Sequence, residues 1–470
     1  MKTMHSTRIA AALGFAIFAP LSAQEKKAEP APKQTFITNV QIFDGKTDKL
    51  TAGNVLIEGK LIKEVGASVK APAGATTIDG GGGTLMPGLI DCHSHLAMAT
   101  KSLAAFENST WEEIGARTAL VAEDALMDGF TTCRDVGGMN GKGVKRMIDS
   151  GELRGPRIFP SGGFIGATSS HSDFKTLTMR NPRLNGTNDS NIARLELGFV
   201  VDGRADIMTA ARRNLQLGAT QLKVMAGGGV ATEFDPWHST TYTLDEMKAA
   251  VEVADDYGTY VCAHINQPKT IKRALEAGIK CIEHAFVMDE ESVKLMVEKG
   301  AYLSTQLTGT SSELASLPSL TPENLRKLKL AHGQMKNYFT LVKKYKPKQV
   351  FAVDAVVMPR LAMKQQRDHE IWLFAKHFGN FAMLKAATST AGELVAMCGP
   401  LTSYHDGPIG LIEAGAYADL LIVDGNPLED ITVIGGNELW MKAPMREAGV
   451  GIETMKVIMK DGVIYKNTLK

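Results

Sequence analysis

The sequence predicts an α/β protein: a (β/α)8 TIM barrel with a small β-sandwich domain formed by both ends of the chain. Residues 34–87 and 405–470 contain short apolar strands separated by glycine-containing turns. Between them, short apolar strands alternate with helical patterns, which is typical of a parallel α/β fold. This middle region, residues 88–404, offers eight strand candidates, the number that closes a (β/α)8 barrel.

The elements follow in chain order. The predicted strands of the small domain are 35–40, 54–58 and 62–65 near the N-terminus and 418–424 and 457–465 near the C-terminus. The predicted barrel strands are 89–91, 131–135, 157–160, 221–225, 260–263, 280–283, 301–305 and 349–353. Helical patterns separate several of them, at 111–128, 205–217 and 244–257. The last of these helices begins with a capping box, because Thr243 precedes Glu246 by three residues.

Composition indicates a globular chain with a large core. The 470 residues are 44% hydrophobic and 22% charged, values that argue against a disordered or a membrane-embedded protein. The formal net charge is +1, so the chain lacks the basic excess of a nucleic-acid-binding protein. We therefore expect no nucleic-acid partner and no membrane attachment of the mature form.

The N-terminus has the order of a secretory signal. Lys2 and Arg8 precede an apolar run at 9–21, and small residues follow it before Gln24. The run is too short to span a bilayer as a stable helix. We predict a signal peptide at 1–23, a disordered linker at 24–33 and an exported, periplasmic protein; the alternative is a frayed helix on a cytosolic enzyme. The five cysteines are odd in number, which argues against a disulfide scaffold.

The most informative segment is the end of the first barrel strand, where Pro87-Gly88 leads into an apolar run that ends in His93 and His95. Side chains two residues apart on a strand lie on the same face, so both imidazoles can reach one metal ion. Two unrelated histidines at a surface strand end are the alternative. The Pro-Gly turn and the apolar run before the pair favour the metal-binding interpretation.

Four further side chains stand at the ends of later barrel strands. Lys223 lies in an apolar strand, where a neutral amine can take up carbon dioxide as a carbamate; a lysine at a strand edge is the alternative. His264 and His284 end two successive strands, and two such histidines beside His93 and His95 favour a metal centre over structural roles. Asp354 ends the eighth strand, with a helix cap as the alternative.

With these motifs, the chain resembles the amidohydrolase superfamily from residue 34 to residue 470. The resemblance implies a metal-dependent hydrolase that acts on C–N bonds with two divalent ions, of which zinc is the expected metal. It implies one ion on His93, His95 and Asp354, a second on His264 and His284, and carbamylated Lys223 and a hydroxide bridging them.

The resemblance also implies a catalytic role for Asp354, which would take the proton of the attacking hydroxide and pass it to the leaving nitrogen. The sequence departs from the family pattern just before this residue. The family usually has Gly-Thr there, whereas this chain has Ala352-Val353 and so lacks the threonine hydroxyl.

Substrate residues are expected in the loops after strands three and four. The chain is similar to exported prolidase-like amidohydrolases, a branch that includes enzymes that hydrolyse the amide of ochratoxin A, and this resemblance implies a small-molecule amide or dipeptide substrate. By this resemblance His171 and Tyr242 contact the scissile carbonyl and the carboxylate side of the substrate, and Trp237 lies beside them. We expect a homo-oligomer, with residues 174–194 forming a lid or an oligomer contact. The alternatives are a hydrolase of cyclic amides or imidazolones and a non-catalytic barrel subunit of an assembly.

Overall fold

A computed structural model describes residues 32–138, 143–174, 179–186, 190–316 and 320–469. The predicted signal peptide and nearly all of the predicted linker lie outside these residues. The strands are β1 (Gln34–Ile42), β2 (Thr51–Glu58), β3 (Leu61–Gly66), β4 (Thr76–Asp79), β5 (Thr84–Pro87), β6 (Leu89–Ser94), β7 (Phe130–Asp135), β8 (Arg157–Pro160), β9 (Phe164–Gly166), β10 (Gly198–Val200), β11 (Leu222–Met225), β12 (Val261–Ile265), β13 (Cys281–His284), β14 (Tyr302–Ser304), β15 (Lys348–Gln349), β16 (Leu420–Val423), β17 (Met455–Lys460) and β18 (Val463–Asn467).

The α-helices lie between and after the barrel strands. They are α1 (Leu103–Glu107), α2 (Trp111–Met127), α3 (Gly143–Asp149), α4 (Pro182–Asn185), α5 (Asn191–Arg194), α6 (Arg204–Leu217), α7 (Leu244–Asp256), α8 (Pro268–Ala277), α9 (Glu290–Glu298), α10 (Pro322–Tyr345), α11 (Arg360–Phe378), α12 (Asn380–Ala386) and α13 (Ser389–Ala396). The predicted capping box at the start of α7 is present between Thr243 and Glu246. Across the described ranges, no helix combines the length and apolarity needed to cross a membrane.

The predicted (β/α)8 barrel is present. Its strands pair in parallel, in a three-stranded set β6-β7-β8 and a seven-stranded set that runs from β10 through β9 and β11 to β15. Isolated backbone hydrogen bonds, outside the strand ladders, join the two sets into a ring. On one side the Thr220 amide donates to the Pro160 carbonyl at 2.7 Å, and on the other the Cys92 amide donates to Phe351 at 2.9 Å.

The eighth barrel strand is less regular than the predicted 349–353. Ladder pairing is limited to β15, and the following residues divide their hydrogen bonds between both neighbours. The Val350 amide donates to Leu303 of β14 at 3.0 Å, whereas the Asp354 amide donates to His93 of β6 at 2.8 Å. This segment therefore closes the ring and fixes the position of Asp354 relative to His93.

The small domain is a sheet that combines both ends of the chain, in the order β18-β17-β16-β5-β1-β2-β3 with β4 also paired to β1. The join is antiparallel pairing between β5 and β16. Strand β1 has an irregular register between Ile37 and Val40, where Asn39 has φ 53°. At the same point, the strand that pairs with the other edge of β1 changes from β4 to β5. This change bends the sheet around its own apolar core.

The predicted insertion, residues 174–194, is described in part, with α4 and α5 inside it. Helix α5 is attached to α1, because the Glu107 carboxylate accepts the backbone amides of Asn191 and Ile192. All five cysteines are buried free thiols.

Candidate metal centre

Six side chains predicted as metal ligands meet at the carboxyl end of the barrel. Together with His171 they line a cavity of about 60 Å³. Parallel strands place their carboxyl ends at one rim of the barrel, so residues distant in sequence meet there. The six are His93, His95, Lys223, His264, His284 and Asp354.

The Asp354 carboxylate lies between three imidazoles. Its Oδ1 is 3.5 Å from Nε2 of His93 and 3.3 Å from Nε2 of His95, and its Oδ2 is 3.8 Å from Nδ1 of His284. Two ligand atoms that each bind zinc at about 2.1 Å in tetrahedral geometry are roughly 3.4 Å apart. The spacing of His93, His95 and Asp354 therefore suits one divalent ion.

Burial keeps three of the four imidazoles in the form that binds metals, whereas the Asp354 carboxylate raises the pKa of His95 against the effect of burial. Removal from water, with Lys223 nearby, lowers the pKa of His93 to about 4. Burial likewise holds the pKa values of His264 and His284 well below the ordinary range. A neutral imidazole has a free lone pair on one nitrogen, which is the electron pair that a metal ion accepts.

Hydrogen bonds fix which nitrogen faces the cavity in three of the rings, those of His93, His95 and His284. His93 Nδ1 lies 2.7 Å from Glu283 Oε2, and His95 Nδ1 lies 2.9 Å from the Gly137 carbonyl. Both contacts make Nδ1 the donor and leave Nε2 free. His284 Nδ1 lies 2.6 Å from the amide oxygen of Gln306, which orients that ring in the same way. Partners of this kind are typical of metal-binding histidines.

Glu283 is a functional residue that the sequence analysis missed. It is fully buried, and its Oε1 accepts from Arg134 at 2.7 Å while its Oε2 binds His93. The signal in the sequence is a pair of opposite charges, Arg134 and Glu283, inside two predicted barrel strands.

We expect Glu283→Gln to weaken divalent-metal binding by about 10- to 100-fold, as is usual when the partner of a ligating histidine is changed. A glutamine that accepts from His93 would turn its NH2 group towards Arg134, so one of the two contacts must break. Titration against a competing chelator measures the affinity, with exposed Glu298→Gln as the matched control. Unchanged affinity would remove Glu283 from the metal centre.

Lys223 is the least satisfied polar group at the site. Its side chain is fully buried, and within the described part of the chain Nζ has no hydrogen-bond partner. An unpaired cation in such a place is strongly unfavourable. Carbamylation would convert the cation into an anion with two oxygens directed at the surrounding imidazoles. The residues present therefore fit a carbamylated lysine with divalent ions such as zinc.

The missing threonine hydroxyl before Asp354 is replaced by other contacts. The Val353 amide donates to Asp91 Oδ1 at 3.2 Å, and the same carboxyl group accepts from the His93 amide and the Ser94 hydroxyl. Asp354 itself has φ 53°, a conformation that aspartate tolerates better than most residues. Asp91 therefore links the strand that carries the histidines to the strand end that carries Asp354.

His171 lies at this cavity, as its predicted role requires. Its ring stacks on His264 with centroids 4.1 Å apart, and its Nδ1 lies 2.7 Å from Asp235 Oδ2. Asp235 also accepts from the buried Lys327 at 2.7 Å. Burial alone would raise the pKa of Asp235, but His171 and Lys327 hold it at about 2. The ionised carboxylate fixes Nδ1 as the donor to Asp235 and so orients the ring.

Tyr242 and Trp237 lie elsewhere, which corrects their predicted placement. The Tyr242 hydroxyl donates to the Val201 carbonyl at 3.0 Å and the side chain is 1% exposed. Trp237 is 5% exposed, packed at the barrel rim. Neither Tyr242 nor Trp237 is among the described residues that line this cavity. The loop folds back through a bridge between Gly227 and Thr240, which carries Tyr242 away from the metals.

Comparison with known proteins agrees with this geometry. The model of the amidohydrolase family matches residues 84–464. Ochratoxinase of Aspergillus niger is 30% identical over 425 residues, which cover 85% of this chain and 83% of that protein. The crystal structure of a prolidase complexed with N-methylphosphonate-L-proline is 30% identical, with a TM-score of 0.80 over 93% of this chain and 100% of that one. A Xaa-Pro dipeptidase with bound methionine is 27% identical, with a TM-score of 0.76 and the same coverage. The chain therefore belongs to the amidohydrolase family and is a hydrolase that acts on amide bonds.

Proposed function

We propose that this chain binds two divalent metal ions, expected to be zinc, and hydrolyses the amide bond of dipeptides or N-acyl amino acids. One observation carries the proposal: six potential ligands meet at one cavity, and the buried Lys223 among them has no other partner in the described structure. His93, His95 and Asp354 would hold one ion, and His264 and His284 the other. Carbamylated Lys223 would be shared between the two.

Bound divalent ions would supply a nucleophile at neutral pH and polarise the scissile carbonyl. The chain's own residues supply the remaining functions. Asp354 would accept a proton at its carboxylate and deliver it to the leaving nitrogen, since this carboxylate reaches both the imidazoles and the open side of the cavity. His171, held by Asp235, would contact the substrate through Nε2, which can donate only when both ring nitrogens carry a proton.

The relatives support the choice of substrate. Ochratoxinase, prolidase and Xaa-Pro dipeptidase are the names of proteins that this chain resembles over most of its length. We therefore propose substrates with an apolar or proline C-terminal residue, including ochratoxin-like phenylalanine amides.

A free substrate carboxylate should matter in this proposal. Hydrogen bonds to charged groups contribute about 1.5 to 3 kcal/mol, so amidating the carboxylate is expected to lower kcat/KM by roughly 10- to 150-fold. The test compares Xaa-Pro and Xaa-Phe dipeptides with their C-terminal amides, using zinc-loaded enzyme. Indifference to the carboxylate would contradict the peptidase proposal.

One observation favours a second candidate function, hydrolysis of a cyclic amide. Apart from Lys223, the described residues around the metals and the adjoining mouth include no lysine or arginine. A substrate carboxylate thus has no cationic side chain among them; Lys142 and Lys175 lie outside the described residues. Hydantoins, lactones and imidazolones belong in the same substrate screen, and faster cleavage of these compounds would favour this candidate.

We further propose that the protein is exported with residues 1–23 removed and that it forms a homo-oligomer. The charged, apolar and small residues of the N-terminus support export. N-terminal sequencing of protein recovered from the periplasmic fraction tests the first proposal. Light scattering of the purified mature chain tests the second.

A further inference from the structure

A second and much larger cavity opens beside the metal centre. It has a volume of about 520 Å³, and we call it the side chamber. Asp354, Phe174, Thr232 and Val357 line both the side chamber and the small cavity. A substrate whose amide bond lies at Asp354 must therefore place one of its two substituents in this space.

The side chamber is lined mainly by apolar side chains. They include Phe174, Phe234, Phe286, Leu314, Leu328 and Trp440. The charged groups among its described lining are carboxylates: Asp173 and Glu233 near the mouth and Asp354 at the inner end. An apolar group gains free energy by leaving water here, whereas an added anion would lose its hydration and, among the described lining residues, meet only negative charge.

The wall of the side chamber is held in place by the same contacts that orient His171. Helix α10 contributes Thr321, Asn324, Leu328 and Ala331 to the lining. On the same helix, Lys327 binds the Asp235 carboxylate. Pockets that are formed before the ligand arrives lose little free energy in ordering on binding.

We propose that the side chamber binds a large, apolar and uncharged substituent of the scissile amide, such as a fused aromatic ring system, and that it disfavours anionic substituents. This inference rests on the proposed amide hydrolysis and adds the class of group that the site selects. The volume fits it, since ligand pockets of about 300 to 1,000 Å³ accommodate drug-sized groups.

Matched substrates test the inference on both sides of the amide. One series varies the acyl group of a phenylalanine amide from acetyl to 2-naphthoyl to 6-carboxy-2-naphthoyl. The other keeps acetyl and varies the amino acid from alanine to 2-naphthylalanine to 4-carboxyphenylalanine. In one of the two series, the naphthyl substrate should have a kcat/KM roughly 10- to 100-fold higher than that of the acetyl or alanine substrate, because one aromatic side group is buried. The added carboxylate should cancel that gain.

A variant with a bulky side chain in the side chamber tests whether the naphthyl group binds there. Ala331→Trp should abolish the ratio of kcat/KM between the naphthyl and the small substrate. Gln334→Trp, on the exposed face of the same helix, adds the same side chain and should keep the ratio. Equal ratios in the two variants would overturn the assignment of the naphthyl group to this space.

A binding measurement does not depend on the variant's folding or on catalysis. The fluorescence of 2-naphthylacetamide on titration with the unmodified protein should show saturable binding, and 6-carboxy-2-naphthylacetamide should bind at least about tenfold more weakly. Equal affinities, or no binding of either, would overturn the inference. Hydrolysis of acetyl substrates with no naphthyl preference would leave the proposed function standing, whereas naphthyl binding without any amide hydrolysis would overturn only the function.

Discussion

Asp354→Asn is expected to lower kcat by at least about 10²-fold, because proton transfer by a positioned acid-base group contributes roughly 10²- to 10⁴-fold to an enzymatic rate. The side chain of Asp354 lies within 3.3 to 3.8 Å of three imidazoles and also faces the side chamber. An asparagine has the same size but can neither accept the proton nor bind a divalent ion as an anion. The measurement is kcat at saturating substrate, with metal content determined on the same sample.

The exposed Asp255→Asn provides the matched control, since it removes one negative charge at a distance from the centre. Circular dichroism of both variants shows whether the fold is kept. Retained turnover of Asp354→Asn would assign the proton transfer to another group.

Lys223→Met should lower the metal content from about two ions to one or fewer per chain and abolish activity, since the carbamate that would be shared between the ions is lost. In the metal-free protein, by contrast, the same substitution should not lower the thermal stability. There the methionine replaces a fully buried amine that has no partner among the described residues. Replacing a buried polar group that has no partner by an apolar one is favourable, so the Tm of the metal-free variant should equal or exceed that of the unmodified chain.

Lys223→Ala adds a direct test of the carbamate. It leaves space for a small carboxylate, whose two oxygens can replace those of the carbamate, so acetate should restore part of the activity and the second ion. Density or mass spectrometry at Lys223 of the unmodified protein should show the added carbon dioxide. A bare lysine with a single bound ion would exclude the two-metal proposal.

Much of the fold follows from local patterns that are visible in the sequence. Short apolar strands ended by His93, His264 and His284 place their side chains at one rim, because parallel barrel strands share a direction. The capping box at Thr243 fixes the start of α7 for a purely local reason. The predicted placement of Tyr242 was wrong because it depended on the path of a long loop, which no local pattern sets.

The contacts that orient the ligands were not predictable in the same way. His93 and its partner Glu283 are 190 residues apart, and Lys327 and Asp235 are 92 residues apart. Asp235 and Lys327 resemble ordinary surface residues when each is seen in its own segment, and no local pattern pairs Glu283 with His93. Only the closed barrel, with α10 against the loop after β11, shows that they are buried and paired.

The joining of the two chain ends in one sheet sets the order in which the molecule can be completed. The Thr84 hydroxyl donates to the Gly425 carbonyl, 341 residues later, and β5 pairs with β16 beside it. At about 5 to 20 residues per second, a ribosome takes roughly 20 to 70 s to make the intervening chain. During that interval the free edge of β5 is open to pairing with other chains. The edge of β5 is therefore covered only after β16 has been made.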